Sequence, residues 1–281
     1  MTTKLYSWDL SPYSARVRMQ IYAKGLTEIA IEPAPTILTQ KFYEHRAIGR
    51  VPLMEIDGEA IPESEVIAEY LEEIYPEPSL LGATPRENAH IRALARIGDI
   101  YLTNNTFMLS AQTRALSAKT PVTLGNEDIV APLCGQLTSI TKALDRMIGR
   151  DGFACLGRVT LADCALVPAL FCLENVLPRT GTGIADPIAA NANLTAYWAA
   201  IQREEHAARI LVELHRGLQE RLELIRSGAI EKLRAASQAA REAAERAPSA
   251  RETVSNLGVV KLGVGEIEEP PRPAPRQLPG V

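Results

Sequence analysis

The chain has 281 residues, 46% of them hydrophobic and 23% charged, and its 30 basic and 34 acidic side chains leave a net charge of -4. A chain of this length holds about two domains and can bury a sizeable core, and a balance so close to neutral gives no support to nucleic-acid binding by bulk charge. No apolar run of about 18 residues is present, which rules out a transmembrane helix, and the N-terminus lacks a basic segment leading into an apolar one, so a cytoplasmic protein is expected.

Lys4 to Trp8 alternate and carry aromatics, which predicts a short strand. Ser11-Pro12 follows; serine is a preferred N-cap and proline a preferred first helical residue. A helix then runs through Val17, Met19, Ile21 and Tyr22 and stops at Gly25. Residues 29–32 predict a second strand, 33–36 a proline-containing loop and 37–47 a short helical stretch. Val51 to Ile56 predicts a third strand, Asp57-Gly58 a hairpin turn and Glu59 to Ile61 the returning strand. Val66, Ile67, Leu71 and Ile74 give helical spacing over Glu63 to Tyr75, closed by Pro76 and Pro78.

The order over the first 78 residues is therefore βαβαββα. From residue 86 to about 245 the pattern is helix and loop without a strand, so the chain reads as α+β. Thr160-Leu161-Ala162-Asp163 has the T-x-x-D form of a capping box, with Val159 and Cys164 placed to form a hydrophobic staple. Residues 178–187 predict a loop, and helix resumes near Leu194 to run, with breaks, to about Glu245. The last 25 residues hold five of the 19 prolines and predict an extended tail. The expected domains are 1–78, 85–220 and an extension over 221–281.

Cys134, Cys155, Cys164 and Cys172 lie in apolar surroundings with no C-x-x-C pair and read as buried free thiols, consistent with a reducing compartment. His45, His90, His206 and His215 have no metal-ligand spacing, and no metal site is expected. No phosphate-binding or dinucleotide-binding glycine pattern occurs.

Three short motifs could carry chemistry. Ser11-Pro12-Tyr13-Ser14 has the spacing of a C-x-x-C redox motif with serine at both thiol positions, so dithiol exchange is excluded there. A hydroxyl at a helix start could donate to a bound anion or thiolate; the same residues could equally be a plain cap. At Val51-Pro52 an X-Pro bond could be cis, opening the Val51 backbone to an extended peptide ligand, or proline could simply start an edge strand. At Glu63-Ser64 the helix N-terminus could bind a carboxylate while Glu63 pairs with an ammonium, or the acid could only favour the helix dipole.

In this order, on this pattern of elements, the three motifs resemble the glutathione S-transferase family over about residues 1–215. Leu5 to Arg18 looks like the serine-type motif of its zeta class, and Val159 to Asp163 resembles a capping box of its helical domain. The resemblance implies a thioredoxin-like N-terminal domain, an all-α C-terminal domain with an extension here, and glutathione as cosubstrate. It implies that Ser11 activates the glutathione thiol, that Val51 pairs with the cysteinyl backbone, that Glu63 and Ser64 bind the γ-glutamyl group, and that Arg50 touches the glycyl carboxylate. It further implies a homodimer acting in detoxification on a small hydrophobic electrophile, with Phe107, Met108 and Gln112 on a helix bordering the acceptor. The zeta motif usually has Ser-Cys where this chain has Pro12-Tyr13, which points away from maleylacetoacetate isomerisation. A non-catalytic binding or interaction scaffold is the alternative.

Overall fold

A computed structural model describes residues 3–34, 50–116 and 126–246. The expected helical stretch at 37–47, His45 and the proline-rich tail lie outside them. Residues 1–245 belong to one compact unit.

The first elements are β1 (Thr3–Ser7), α1 (Pro12–Ala23), β2 (Ala30–Pro33), β3 (Leu53–Ile56), β4 (Glu59–Pro62) and α2 (Ser64–Ile74). The strands lie in the order β2-β1-β3-β4. β1 is parallel to β2 and antiparallel to β3, and β3 is antiparallel to β4. A parallel neighbour needs a crossover, and α1 supplies it. The strand expected from Val51 begins only at Leu53, because Pro52 has no N–H to give to a ladder. Leu5 stands opposite both Ile31 and Met54. On that face Leu5, Met54 and Ile56 pack with Val17 and Ile21 of α1 and with Ile67 and Leu71 of α2.

The helical part comprises α3 (Pro85–Arg96), a wide π-type segment (Ile97–Thr103), α4 (Asn104–Thr113), α5 (Glu127–Met147), α6 (Leu161–Asn175), α7 (Ala192–Ile201), α8 (Glu205–Ser227) and α9 (Ala229–Arg246). Every residue of α6 from Leu161 to Leu173 is buried, as expected of a helix apolar on all sides at the centre of a bundle. Its start is tied down by Asp163, whose carboxylate accepts from Thr160 N–H at 2.9 Å and from the Thr160 hydroxyl at 2.8 Å. Ala154 N–H at 2.8 Å and the Tyr197 hydroxyl at 3.2 Å complete its shell.

α1 is the shared element. Val17 and Ile21 face the sheet core, whereas Ala15 and Met19 belong to the core of the helical bundle. Arg16, Arg18 and Gln20 are buried as well, so α1 has no solvent face in its middle turns. Buried charge needs partners, and it finds them across the fold: Arg16 pairs with Glu65 at 2.5 Å and Asp99 at 2.8 Å, and Arg18 with Glu213 at 2.7 Å.

Candidate active site

The strand register brings the three motifs together. Tyr6 near the end of β1 pairs with Leu53 at the start of β3, and Leu53 pairs with Pro62 at the end of β4. The loop leading to Ser11, the Val51-Pro52 step and the Glu63-Ser64 step therefore leave the sheet at one end. The N-termini of α1 and α2 both open there, and helix N-termini offer free N–H groups and positive potential to an anion.

Ser11 is half-buried and is the N-cap of α1. Its hydroxyl oxygen accepts from Ser14 N–H at 3.2 Å. The capping function expected of Ser11 is thus in place, and it uses only one lone pair; the hydroxyl proton remains available for donation. The first turn of α1 contains no acidic residue to cancel the helix potential. Ser11 N–H bonds to Trp8 C=O at 3.0 Å, and the Trp8 indole N–H bonds to Ala34 C=O at 3.0 Å, so the loop is braced against the end of β2.

The Val51–Pro52 bond is cis, with Val51 half-buried and Arg50 exposed. Glu63 is exposed and holds φ of 70°, a left-handed conformation unusual for a residue with a side chain. This bend puts Ser64 at the first position of α2, buried, with a hydroxyl that bonds to no described residue. The next residue, Glu65, faces inward to Arg16, which fixes α2 to α1.

Tyr13, read in the sequence only as a departure from the zeta motif, has a place of its own beside Ser11. Its ring meets Phe107 of α4 edge-on, with centroids 6.2 Å apart. Burial, and then the charge of Asp99, push its phenol up to about 12, so it is a neutral donor at pH 7. Met108, one residue beyond Phe107, is 42% exposed. An apolar wall from the helical part thus stands beside the start of α1. The signal for Tyr13 was an aromatic at the second position of the helix, which gains meaning only when α4 is seen opposite it. His215, exposed on α8, meets the Phe171 ring edge-on with centroids 4.9 Å apart.

The chain matches the glutathione S-transferase N-terminal domain over residues 5–79. It is 32% identical over 182 residues to the maleylacetoacetate isomerase of Pseudomonas aeruginosa, covering 61% of this chain and 81% of that protein. It is 30% identical over 174 residues to that of Mus musculus, covering 58% and 74%. Among solved structures, a glutathione S-transferase of Methylobacterium radiotolerans in complex with glutathione sulfonate has a TM-score of 0.62 at 20% identity, covering 74% of this chain and 94% of that one. The architecture is accordingly a thioredoxin-like domain joined to a helical region. The chain belongs to the glutathione S-transferase family.

Proposed function

We propose that this glutathione-dependent enzyme activates the thiol of glutathione at Ser11 and directs it at a small hydrophobic electrophile. The observation that carries this reading is the convergence of Ser11, Val51 and Ser64 at one end of the sheet. The thiolate, not the thiol, is the nucleophile. The Ser11 hydroxyl donates to the sulfur, and the acid-free N-terminus of α1 stabilises its negative charge. Ser64 and the α2 N-terminus receive the γ-glutamyl carboxylate, and Glu63 the neighbouring ammonium. The strained φ at Glu63 fits a residue held for binding rather than for folding. The Val51 backbone pairs with the cysteinyl unit, and Arg50 reaches the glycyl carboxylate.

The acceptor lies against Tyr13 and Phe107. The thiolate forms a bond to its electrophilic carbon, and the electron pair leaves with a halide or alkoxide, remains in a conjugate, or returns to expel the thiolate in an isomerisation. The named relatives are enzymes, which favours catalysis over the scaffold. Replacement of the zeta Ser-Cys pair by Pro12-Tyr13 favours an acceptor other than maleylacetoacetate.

Three further parts of the reading rest on the whole chain. The domains are 1–78 and 85–220, with an extension over 221–281. A homodimer is supported by exposed apolar residues on neighbouring elements, Val66 on α2 and Ile100 and Tyr101 after α3. A cytoplasmic role in detoxification fits the free thiols; among the described residues no helix is long and apolar enough to cross a membrane.

Ser11→Ala tests the reading. Turnover is expected to fall by about tenfold to a thousandfold, while loss of the cap costs about 1 kcal/mol of stability. Full activity toward an accepted substrate would reduce Ser11 to a cap.

A further inference from the structure

The residues between Ser7 and Ser11 belong to no strand or helix, so the position of Ser11 is set by what this loop leans on. We infer that α8, some two hundred residues away in sequence, is a clasp that positions Ser11, with Glu213, Arg216 and Gly217 as positioning residues for thiol activation. The inference rests on the Ser11 reading above.

Three residues on one face of α8 hold the loop, two directly and Glu213 through Arg18 of α1. From inside, the Arg18 guanidinium donates to the Ser7 hydroxyl, to Trp8 C=O at 3.0 Å and to Asp9 C=O at 3.1 Å. Arg18 is 1% exposed, so this charge requires a partner. Glu213 is that partner, accepting from Arg18 Nε at 2.7 Å and from the Tyr22 hydroxyl at 2.9 Å. From outside, Arg216 holds the Asp9 carboxylate at 2.6 Å. Between them Gly217 lies flat against the loop: a Cβ there would stand 2.5 Å from Leu10 N and 2.9 Å from Asp9 Cβ. Only glycine admits so close an approach.

Spacing of three and four residues puts these contacts on adjacent turns. The loop transmits their position directly, because Ser11 N–H is bonded to Trp8 C=O. A shift of Asp9-Leu10 therefore moves the hydroxyl that faces the sulfur, and preorganised donors lose much of their effect when displaced by an ångström. Among the described residues the partners of Glu213 and Arg216 outside α8 are Arg18, Tyr22 and Asp9, not the proposed γ-glutamyl residues Glu63 and Ser64, so the clasp acts on the thiol and not on glutathione affinity.

The test is the pKa of the bound glutathione thiol, read from its thiolate absorbance against pH in full-length wild type, Ser11→Ala, Gly217→Ala, Glu213→Gln and Arg216→Ala. Gly217→Ala and Glu213→Gln are expected to raise it by about one unit, with turnover near neutral pH lower by about tenfold. Arg216→Ala is expected to produce a smaller rise that Arg216→Lys largely reverses, and the KM for glutathione is expected to stay within about twofold in each. Should Gly217→Ala not fold, Arg216→Ala, at a pair 58% and 31% exposed, carries the test. An unchanged thiol pKa in the folded clasp variants, beside a shifted Ser11→Ala, overturns the clasp and leaves the Ser11 reading intact. So does a turnover loss carried only by the KM for glutathione, which marks loosened packing. A pKa unmoved by Ser11→Ala overturns both.

Discussion

Asp163 shows how a single carboxylate can cost and contribute at once. Burial pushes it up to about 6 from 3.8, against the pull of its bonds from Ala154, Thr160 and Tyr197. The folded state thus holds this proton more tightly than the unfolded chain does. The resulting stability is fully present below about 3.8 and is lost as pH rises through about 6. Asp163→Asn removes the titration. The stability of wild type relative to Asp163→Asn, from urea unfolding, should therefore fall by up to a few kcal/mol between about pH 4 and pH 7. A flat difference would contradict the raised pKa. Asp163→Ala is more severe, because it strands the donors now satisfied by one carboxylate; about 2–4 kcal/mol of destabilisation is expected at neutral pH.

At the scale of elements, the proposed binding step at the start of α2 can be tested apart from folding. Ser64 is buried at its first position without a bond to any described residue, and Glu63 before it bears a strained φ. Ser64→Ala is expected to weaken glutathione binding by about 1 kcal/mol or more in calorimetry, with little change in melting. Glu63→Gly relaxes the backbone and should leave stability equal or higher by up to about 1 kcal/mol while glutathione affinity falls. An affinity unchanged in both variants would remove this step from the site. Local signals made these starts readable in sequence: Ser11-Pro12 before α1, Asp57-Gly58 between β3 and β4, Thr160 with Asp163 before α6. What gathers Ser11, Val51 and Ser64 at one end is pairing between distant strands, and residue chemistry alone does not encode a register. The grip of Gly217 on Leu10 was less legible still, because a glycine inside a helix announces a close neighbour without naming it. The π-type segment over Ile97–Thr103 has no comparable signature, since its apolar spacing fits an ordinary helix.

Across the whole molecule, the sheet and the bundle are bound by buried charge as much as by apolar contact. Arg16 and Arg18 on α1 take partners, Asp99 and Glu213, that lie beyond residue 78. Ala15 and Met19 likewise pack into the bundle core. A fragment of residues 1–78 would leave Arg18 without its carboxylate and would expose that apolar face. A buried charge deprived of its partner costs about 3–5 kcal/mol, a large share of the stability of a small domain. The fragment is therefore expected to show a collapsed or unfolded spectrum by NMR where the full chain is folded. A dispersed spectrum with cooperative melting would mean that the sheet half stands alone.

The sequestered sulfurs bear on a hazard common to any catalyst that handles electrophiles, namely destruction by its own substrates. Burial pushes the thiols of Cys155 and Cys172 up to about 11 and about 12, and raises that of Cys164 as well. At neutral pH a thiol near 11 is ionised to about one part in ten thousand, and alkylation requires the ionised form. Three of the four cysteines are thus chemically silent as well as sterically shielded, with Cys134 half-buried. An incoming electrophile therefore finds these three sulfurs poor competitors for the thiolate of the proposed cosubstrate, and Cys134 is the cysteine left for it to reach.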